Sequence, residues 1–221
     1  MRTLIINFKN YSRILGEGSL ALAATAEKAA SRHGIEIAVA PPAPFLSAVA
    51  SKVRIPVFAQ SVDPVEGEKT TGSMLPEALA AAGCRGTLLN HSESRLELAV
   101  LSSLVRRVAK LGLRTCVCVE SSSEAASVSK LEPTYVAVEP PELIGSGISV
   151  STSKPELVTD TVKAARGSGF SGRILCGAGI VSGIDVRKGV ELGVDGVLVS
   201  SSVVQAKDWQ AKISELASAL A

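Results

Sequence analysis

Glu139 is the residue best placed to do chemistry, and general base is the role its setting suits. It closes the apolar run Val136-Ala137-Val138 and leads through Pro140-Pro141 into Leu143-Ile144-Gly145-Ser146-Gly147. A carboxylate just past a buried strand, followed by a stiff hinge and a glycine-rich tip, serves a reaction whose base must be dried after substrate enters. The plainer reading of the same stretch is a glutamate in a strand-to-helix turn, paired with a surface cation. His91 stands in Asn90-His91-Ser92-Glu93, four polar groups directly behind Leu88-Leu89, and Asn7 and Lys9 follow the apolar Leu4-Ile5-Ile6. Each has a structural alternative: a satisfied polar residue at a turn for His91, a strand terminator for Asn7, a solvated loop cation for Lys9. His33 sits at a predicted helix end, where a cation suits the dipole, and reads as structural. Gln60 and Glu120 read as structural partners.

Three backbone-donor turns point to an anion. Gly145-Ser146-Gly147, Gly177-Ala178-Gly179 and Ser200-Ser201-Ser202 follow the sixth, seventh and eighth predicted strands. The last opens a helix, whose free N–H groups favour negative charge. Together they suit a phosphate group, although glycines and serines also serve simply to make tight turns.

The elements that must position these groups repeat one pattern. Short β-branched runs alternate with alanine- and leucine-rich stretches, as in βα units around a parallel sheet. Strands are predicted near 3–7, 35–40, 55–60, 86–90, 113–119, 134–139, 173–176 and 196–200, with helices near 19–33, 43–51, 75–82, 95–111, 123–131, 154–168, 183–192 and 202–220. In the last helix Ile213, Leu216, Ala217 and Leu220 recur at helical spacing, one stripe to pack on the sheet. Several helices stop at a glycine, Gly34, Gly83, Gly112 and Gly193 among them, as left-handed caps require. No linker or shift of composition interrupts the chain, so residues 1–221 read as a single α/β domain. Eight βα units favour a closed (β/α)8 barrel over an open doubly wound sheet. An open sheet would most often carry a glycine-rich turn after its first strand, and Asn7-Phe8-Lys9-Asn10-Tyr11 has no glycine. In a barrel the chemistry belongs at the carboxyl ends of the strands, where Asn7, Lys9, His91, Glu139 and Ser200 fall.

Composition narrows the classes of function. The 221 residues are 46% hydrophobic and 20% charged, enough to bury a substantial core. A net charge of +2 leaves no electrostatic footprint for nucleic acid or an acidic membrane. No apolar run approaches the roughly 18 to 20 residues of a membrane span, and Met1-Arg2-Thr3 leads straight into a strand, so a cytoplasmic protein is expected. Cys84, Cys116, Cys118 and Cys176 lie in or beside apolar segments without a CxxC spacing and read as buried thiols. Cys116 and Cys118 share one face of a strand, a poor geometry for a bridge. With two histidines in the chain, a multi-histidine metal site is out of reach, and no metal is expected.

Taken together, these residues make the chain resemble the triosephosphate isomerase family, whose fold is the (β/α)8 TIM barrel. The matching motifs are Asn7-Phe8-Lys9, Asn90-His91-Ser92-Glu93-Ser94-Arg95, and Glu139-Pro140 leading to Ile144-Gly145-Ser146-Gly147, each after the appropriate strand. The likeness spans the whole chain, and its shortness and the Cys176-Gly177-Ala178-Gly179-Ile180 turn look most like the archaeal branch. The resemblance implies interconversion of dihydroxyacetone phosphate and D-glyceraldehyde 3-phosphate, a step of glycolysis and gluconeogenesis, with no cofactor. It implies Glu139 as the base, His91 as the electrophile and proton shuttle, Lys9 as fixed positive charge held by Glu93, and Asn7 on the substrate oxygens. Phe8 joins the binding residues, Ile144 and Gly145 belong to a lid, and Gly179, Ser200 and Ser201 bind the phosphate. It further implies that residues 61–73, a long connection, reach a neighbouring subunit near its Asn7 and Lys9, giving a homodimer and, on the archaeal likeness, a tetramer.

Two positions depart from the common pattern of that family. Cys176 stands where many members carry a tyrosine that latches the lid, and Ser200-Ser201 replaces a pair of small residues that often includes glycine. Two rival readings remain. Another phosphate-binding barrel enzyme would want metal ligands on several strands, or a lysine at position 139. A non-catalytic barrel would show a damaged acid–base set.

Overall fold

The computed structural model describes residues 1–143 and 147–221. Strands and helices alternate from the first residues. The order is β1 (Thr3–Asn7), α1 (Glu17–His33), β2 (Glu36–Ala40), α2 (Leu46–Ala50), β3 (Phe58–Ala59), α3 (Pro76–Ala81), β4 (Gly86–Leu89), α4 (Leu98–Lys110) and β5 (Arg114–Val119). Next come α5 (Ser122–Ser129), β6 (Tyr135–Val138), α6 (Val150–Ser153), α7 (Pro155–Gly167), β7 (Arg173–Cys176), α8 (Gly183–Glu191), β8 (Gly196–Val199), α9 (Ser201–Val204) and α10 (Trp209–Leu220). The strands are all parallel and run β2-β1-β8-β7-β6-β5-β4-β3, with β1 pairing in register with both β2 and β8. Between β2 and β3 a single bridge, Val39 to Val57, brings the barrel nearly to closure.

The pleat sorts side chains into two cores. Ile5, Ala38, Ala40, Phe58, Leu88, Cys116, Cys118, Tyr135, Ala137, Leu175 and Leu198 fill the barrel. Their neighbours on the same strands, such as Leu4, Ile6, Val117 and Val119, pack outward against the helices. Both faces of each strand are therefore dry, which is why the strands read as continuous apolar runs and not as alternations. Cys116 and Cys118 do share the inner face, and all four cysteines are free and buried.

Element boundaries depart from the expectations where polar contacts override propensity. The predicted strand at 55–60 shrinks to two residues, since Pro56 has no N–H to donate and β3 lies at the seam. The predicted helix at 202–220 is broken in two. Asp208 starts α10 by accepting the N–H of Ala211 at 3.0 Å, a cap legible in Asp208-Trp209. Likewise α7 begins at Pro155, a favoured first helical position, and a separate short α6 precedes it. The left-handed stop at Gly34, with φ of 64°, is as expected.

A polar cluster closes the amino end of the barrel. Glu36 on β2 accepts from Tyr135 Oη at 2.5 Å, Arg114 Nη1 at 2.9 Å and Arg173 Nη1 at 3.2 Å, joining β2 to β5, β6 and β7 across the lumen. Burial alone would raise the Glu36 carboxyl, but the Tyr135 hydroxyl and the Arg114 guanidinium outweigh it and hold it below its ordinary value. Glu36→Ala removes the carboxylate the three groups share, leaving Arg114 with Tyr135 Oη and Arg173 with Thr3 Oγ1 as neutral acceptors, a loss of about 3 kcal/mol. The melting temperature of the variant is expected to fall by roughly 6 °C or more at neutral pH. Because the folded pKa is depressed, the parent's advantage is present above the ordinary carboxylate value and lost as pH falls through the folded one. Melting curves of parent and variant should therefore converge in strong acid.

Candidate active site

The carboxyl ends of β1, β4, β6, β7 and β8 converge on one cleft with about 540 Å³ of empty space, including its open mouth. At β1 the chain turns sharply, with Lys9 at φ of 47°. Asn7 Oδ1 stabilises this turn by accepting the Lys9 N–H at 3.0 Å, and Gln60 Nε2 donates to the Lys9 carbonyl at 3.0 Å. Gln60 thus acts as the structural partner expected of it. The ammonium of Lys9 meets Glu93 Oε1 at 2.7 Å, which aims a cation along the cleft wall.

His91 follows β4 and is 7% exposed. Its Nδ1 accepts the Glu93 N–H at 3.1 Å, so in the neutral ring the proton sits on Nε2. Burial lowers the His91 pKa and the Lys9 ammonium lowers it further; Glu93 opposes them, and Arg95 adds a smaller lowering. The ring is therefore a neutral donor at neutral pH.

Glu139 follows β6 and is 3% exposed, with Oε2 at 3.8 Å from Nε2 of His91. Burial pushes its carboxyl up to about 7, against the opposing effects of a hydrogen bond from the Cys118 thiol and the charge of Lys9. A glycine at 177 makes room for it, since a Cβ there would lie 2.3 Å from Glu139 Cγ. Gly179, at φ of 68°, is needed for a second reason, because a Cβ would lie 1.8 Å from the Ile148 carbonyl oxygen. After β8, Ser200 and Ser201 line the cleft at the start of α9. The buried oxygens Glu139 Oε2, Ser200 Oγ and Ser202 Oγ have no hydrogen-bond partner among the described residues. Orphaned polar atoms around a cleft are expensive unless a ligand completes them.

Asn7, Lys9, His91, Glu139, Gly179, Ser200 and Ser201 thus line a single cavity. Phe8 does not line it: the side chain is fully buried between sheet and helices, and its N–H is taken by the Ala40 carbonyl at 3.0 Å. Ile144 and Gly145 lie outside the described residues. Cys176 points outward against Gly189 of α8, so a latch to the loop after β6 cannot come from that side chain. The contribution of Cys118 escaped sequence reasoning, though its place on the inward face of β5 was legible. Among the described residues no cluster of His, Cys, Asp and Glu is arranged to hold a metal ion, and no helix is long and apolar enough to cross a membrane.

A family model described as triosephosphate isomerase matches residues 2–217. The triosephosphate isomerase of Caldivirga maquilingensis is 48% identical over 217 residues, covering 98% of this chain and 96% of its own. That of Methanothermus fervidus is 45% identical over 213 residues, 96% of either chain, and that of Cenarchaeum symbiosum 48% over 217 residues, 98% of this chain and 97% of its own.

Proposed function

The chain belongs to the triosephosphate isomerase family, and we propose that it interconverts dihydroxyacetone phosphate and D-glyceraldehyde 3-phosphate, a glycolytic step, with Glu139, His91, Lys9 and Asn7 carrying the chemistry. The observation that carries this assignment is the Glu139 Oε2, unpartnered among the described residues, at 3.8 Å from the Nε2 of a neutral histidine.

The carboxylate of Glu139 removes a proton from carbon one of the ketose. The electron pair forms a carbon–carbon double bond and the ketone oxygen becomes an enediolate oxygen. His91 Nε2–H donates to that oxygen, and the Lys9 ammonium stabilises its charge. Asn7 orients the substrate oxygens. Return of the proton from Glu139 to carbon two, with transfer of the hydroxyl proton between oxygens through His91, completes the aldose. No outside oxidant or acid is consumed. Gly179, Ser200 and Ser201 supply donors to the phosphate, and the loop containing Ile144 and Gly145 excludes water, so that the enediolate does not expel phosphate. Binding energy from the remote phosphate is thereby available for closure.

Turnover of glyceraldehyde 3-phosphate in a coupled assay tests the reading; a parent protein with no turnover would favour a non-catalytic barrel. Residues 1–221 are read as one barrel domain. A homodimer formed through residues 61–73, paired again into a tetramer, is proposed on two supports. The loop base is pinned by Asp63 Oδ2 accepting the Met74 N–H at 2.6 Å, and a surface hollow beside Lys9, Tyr11, Gln60 and Glu93 offers it a seat. Light scattering should give four times the 22.7 kDa chain mass; a monomer would end the proposal. Phosphorylated trioses are retained inside cells, so the cytoplasm is the compartment proposed.

A further inference from the structure

Asn90 precedes His91 in the chain, is 2% exposed, and has no part in the reaction steps above. Its backbone stands at φ of 58°, where an L-residue other than glycine is uncommon and asparagine is among the best tolerated. Glycine would make that turn with no steric penalty. What asparagine adds is a carboxamide with every strong contact used. Nδ2 donates to the Cys118 carbonyl at 2.9 Å and to Glu124 Oε1 at 2.9 Å, while Oδ1 accepts the Leu96 N–H at 2.9 Å. The Asn90 main-chain carbonyl takes a further bond from Arg95 Nη1 at 3.2 Å.

A second ring of contacts braces the first. Glu124 sits in the first turn of α5, where a carboxylate is favoured. Its Oε1 also receives Arg95 Nη2 at 2.6 Å, and its Oε2 receives the Glu120 N–H at 2.7 Å. A network of this kind, buried at Asn90 and part-exposed at Glu124 and Arg95, restrains the groups it joins.

These bonds run to both reacting groups. Cys118, whose carbonyl Asn90 holds, is followed by Val119, whose carbonyl accepts the Glu139 N–H at 2.8 Å. His91 is the next residue in the chain, and its ring is fixed by the Glu93 N–H in the same turn. One carboxamide therefore ties the turn after β4 to the end of β5. We propose that Asn90 is a positioning residue for the isomerisation, its side chain, braced by Glu124 and Arg95, holding the His91 imidazole and the Glu139 carboxylate at their working separation. The proposal rests on His91 and Glu139 being the reacting pair.

Asn90→Gly keeps the backbone turn and deletes the clamp. A displacement of about 1 Å between reacting groups can cost on the order of 100-fold, so a loss of about 30-fold in kcat is expected. KM should stay within about threefold, because the phosphate donors after β7 and β8 are untouched. A merely structural asparagine would lower the melting temperature and leave kcat alone. Asn90→Asp sets a carboxylate against the Cys118 carbonyl and Glu124, and should lose more. Adding Glu124→Gln restores a donor opposite it and should recover several-fold of the lost kcat, a pairing that a double-mutant cycle reads directly. Should Asn90→Gly fail to fold, Glu124→Gln alone, at the more exposed partner, is expected to lower kcat several-fold at unchanged KM. Full kcat in whichever of Asn90→Gly and Glu124→Gln is measured, or no recovery in the double variant, overturns the proposal. Glu139→Gln run alongside separates the two failures. If that variant stays active, the reacting pair itself is wrong; if it is inactive while Asn90→Gly runs at full speed, the clamp alone is wrong.

Discussion

Glu139→Gln is expected to lower kcat roughly 1,000-fold while KM for triose phosphate changes by less than about threefold, since a positioned base contributes typically 100- to 10,000-fold and the phosphate grip is elsewhere. The amide is isosteric and neutral, so it fills the pocket beside Gly177 but cannot take a proton. Two pH measurements sharpen the test. The carboxyl titrates at about 7 in the folded protein, and only its ionised form is a base. In the parent, kcat/KM should therefore fall tenfold per pH unit below that value. Stability moves the other way. The folded value lies above the ordinary 4.5, so between those two pH values the native state holds a proton the unfolded chain has released. Stability is thus lost as pH rises through about 7. Glutamine carries no such penalty, and the variant should be more stable than the parent at pH 8 by about 3 kcal/mol, the gap closing near pH 4. Unfolding curves at the two pH values decide it. An active variant that gains no stability would remove both the base assignment and the buried charge behind it.

What could be read in the sequence follows from where each interaction lives. The barrel was legible because burial on both faces leaves a local trace, a β-branched run ended by a glycine or polar turn, and eight such runs are hard to mistake. Asn7, Lys9, His91, Glu139 and Ser200 were legible as candidates for the same reason, each falling just past a strand. The Lys9–Glu93 pair, expected only through a family resemblance, forms at 2.7 Å across 84 positions. Less was legible where the decisive partner lies far along the chain. Nothing near Asn90 announces that its amide will reach the Cys118 carbonyl 28 positions away, beside the Val119 carbonyl that takes the Glu139 N–H. The seam at β3 was missed because a strand needs neighbours on both sides to keep its length, and β3 has one full pairing and one bridge.

The cleft also explains why its two ionisable centres differ in kind. Both lie in the same dry space, and burial disfavours charge on each. For the carboxyl that raises the pKa toward neutrality, making a base that can both take and return a proton. For the imidazole it lowers the pKa, leaving a neutral donor. Lys9, with a smaller effect from Arg95, supplies fixed positive charge at this wall, lowering both values, as suits negative charge on a substrate oxygen between them.

His91→Gln is accordingly expected to lower kcat about 100-fold, the scale of removing one aligned donor to a developing oxyanion. The glutamine amide still carries an N–H, but it lacks the second nitrogen through which Glu93 fixes the imidazole, and it cannot relay a proton between two oxygens. The pH profile gives the finer test. Because burial and Lys9 hold His91 neutral below the range where an ordinary imidazole gains its proton, only Glu139 should titrate as pH falls from 8 toward 6. A log plot of the parent's kcat/KM should then have an acid limb of slope one, and the same limb should persist in His91→Gln at lower absolute rate. A parent limb of slope two that relaxes to one in the variant would mean that the histidine takes up a proton in that range. The neutral-donor role would then give way to a histidine that must be deprotonated before it can act.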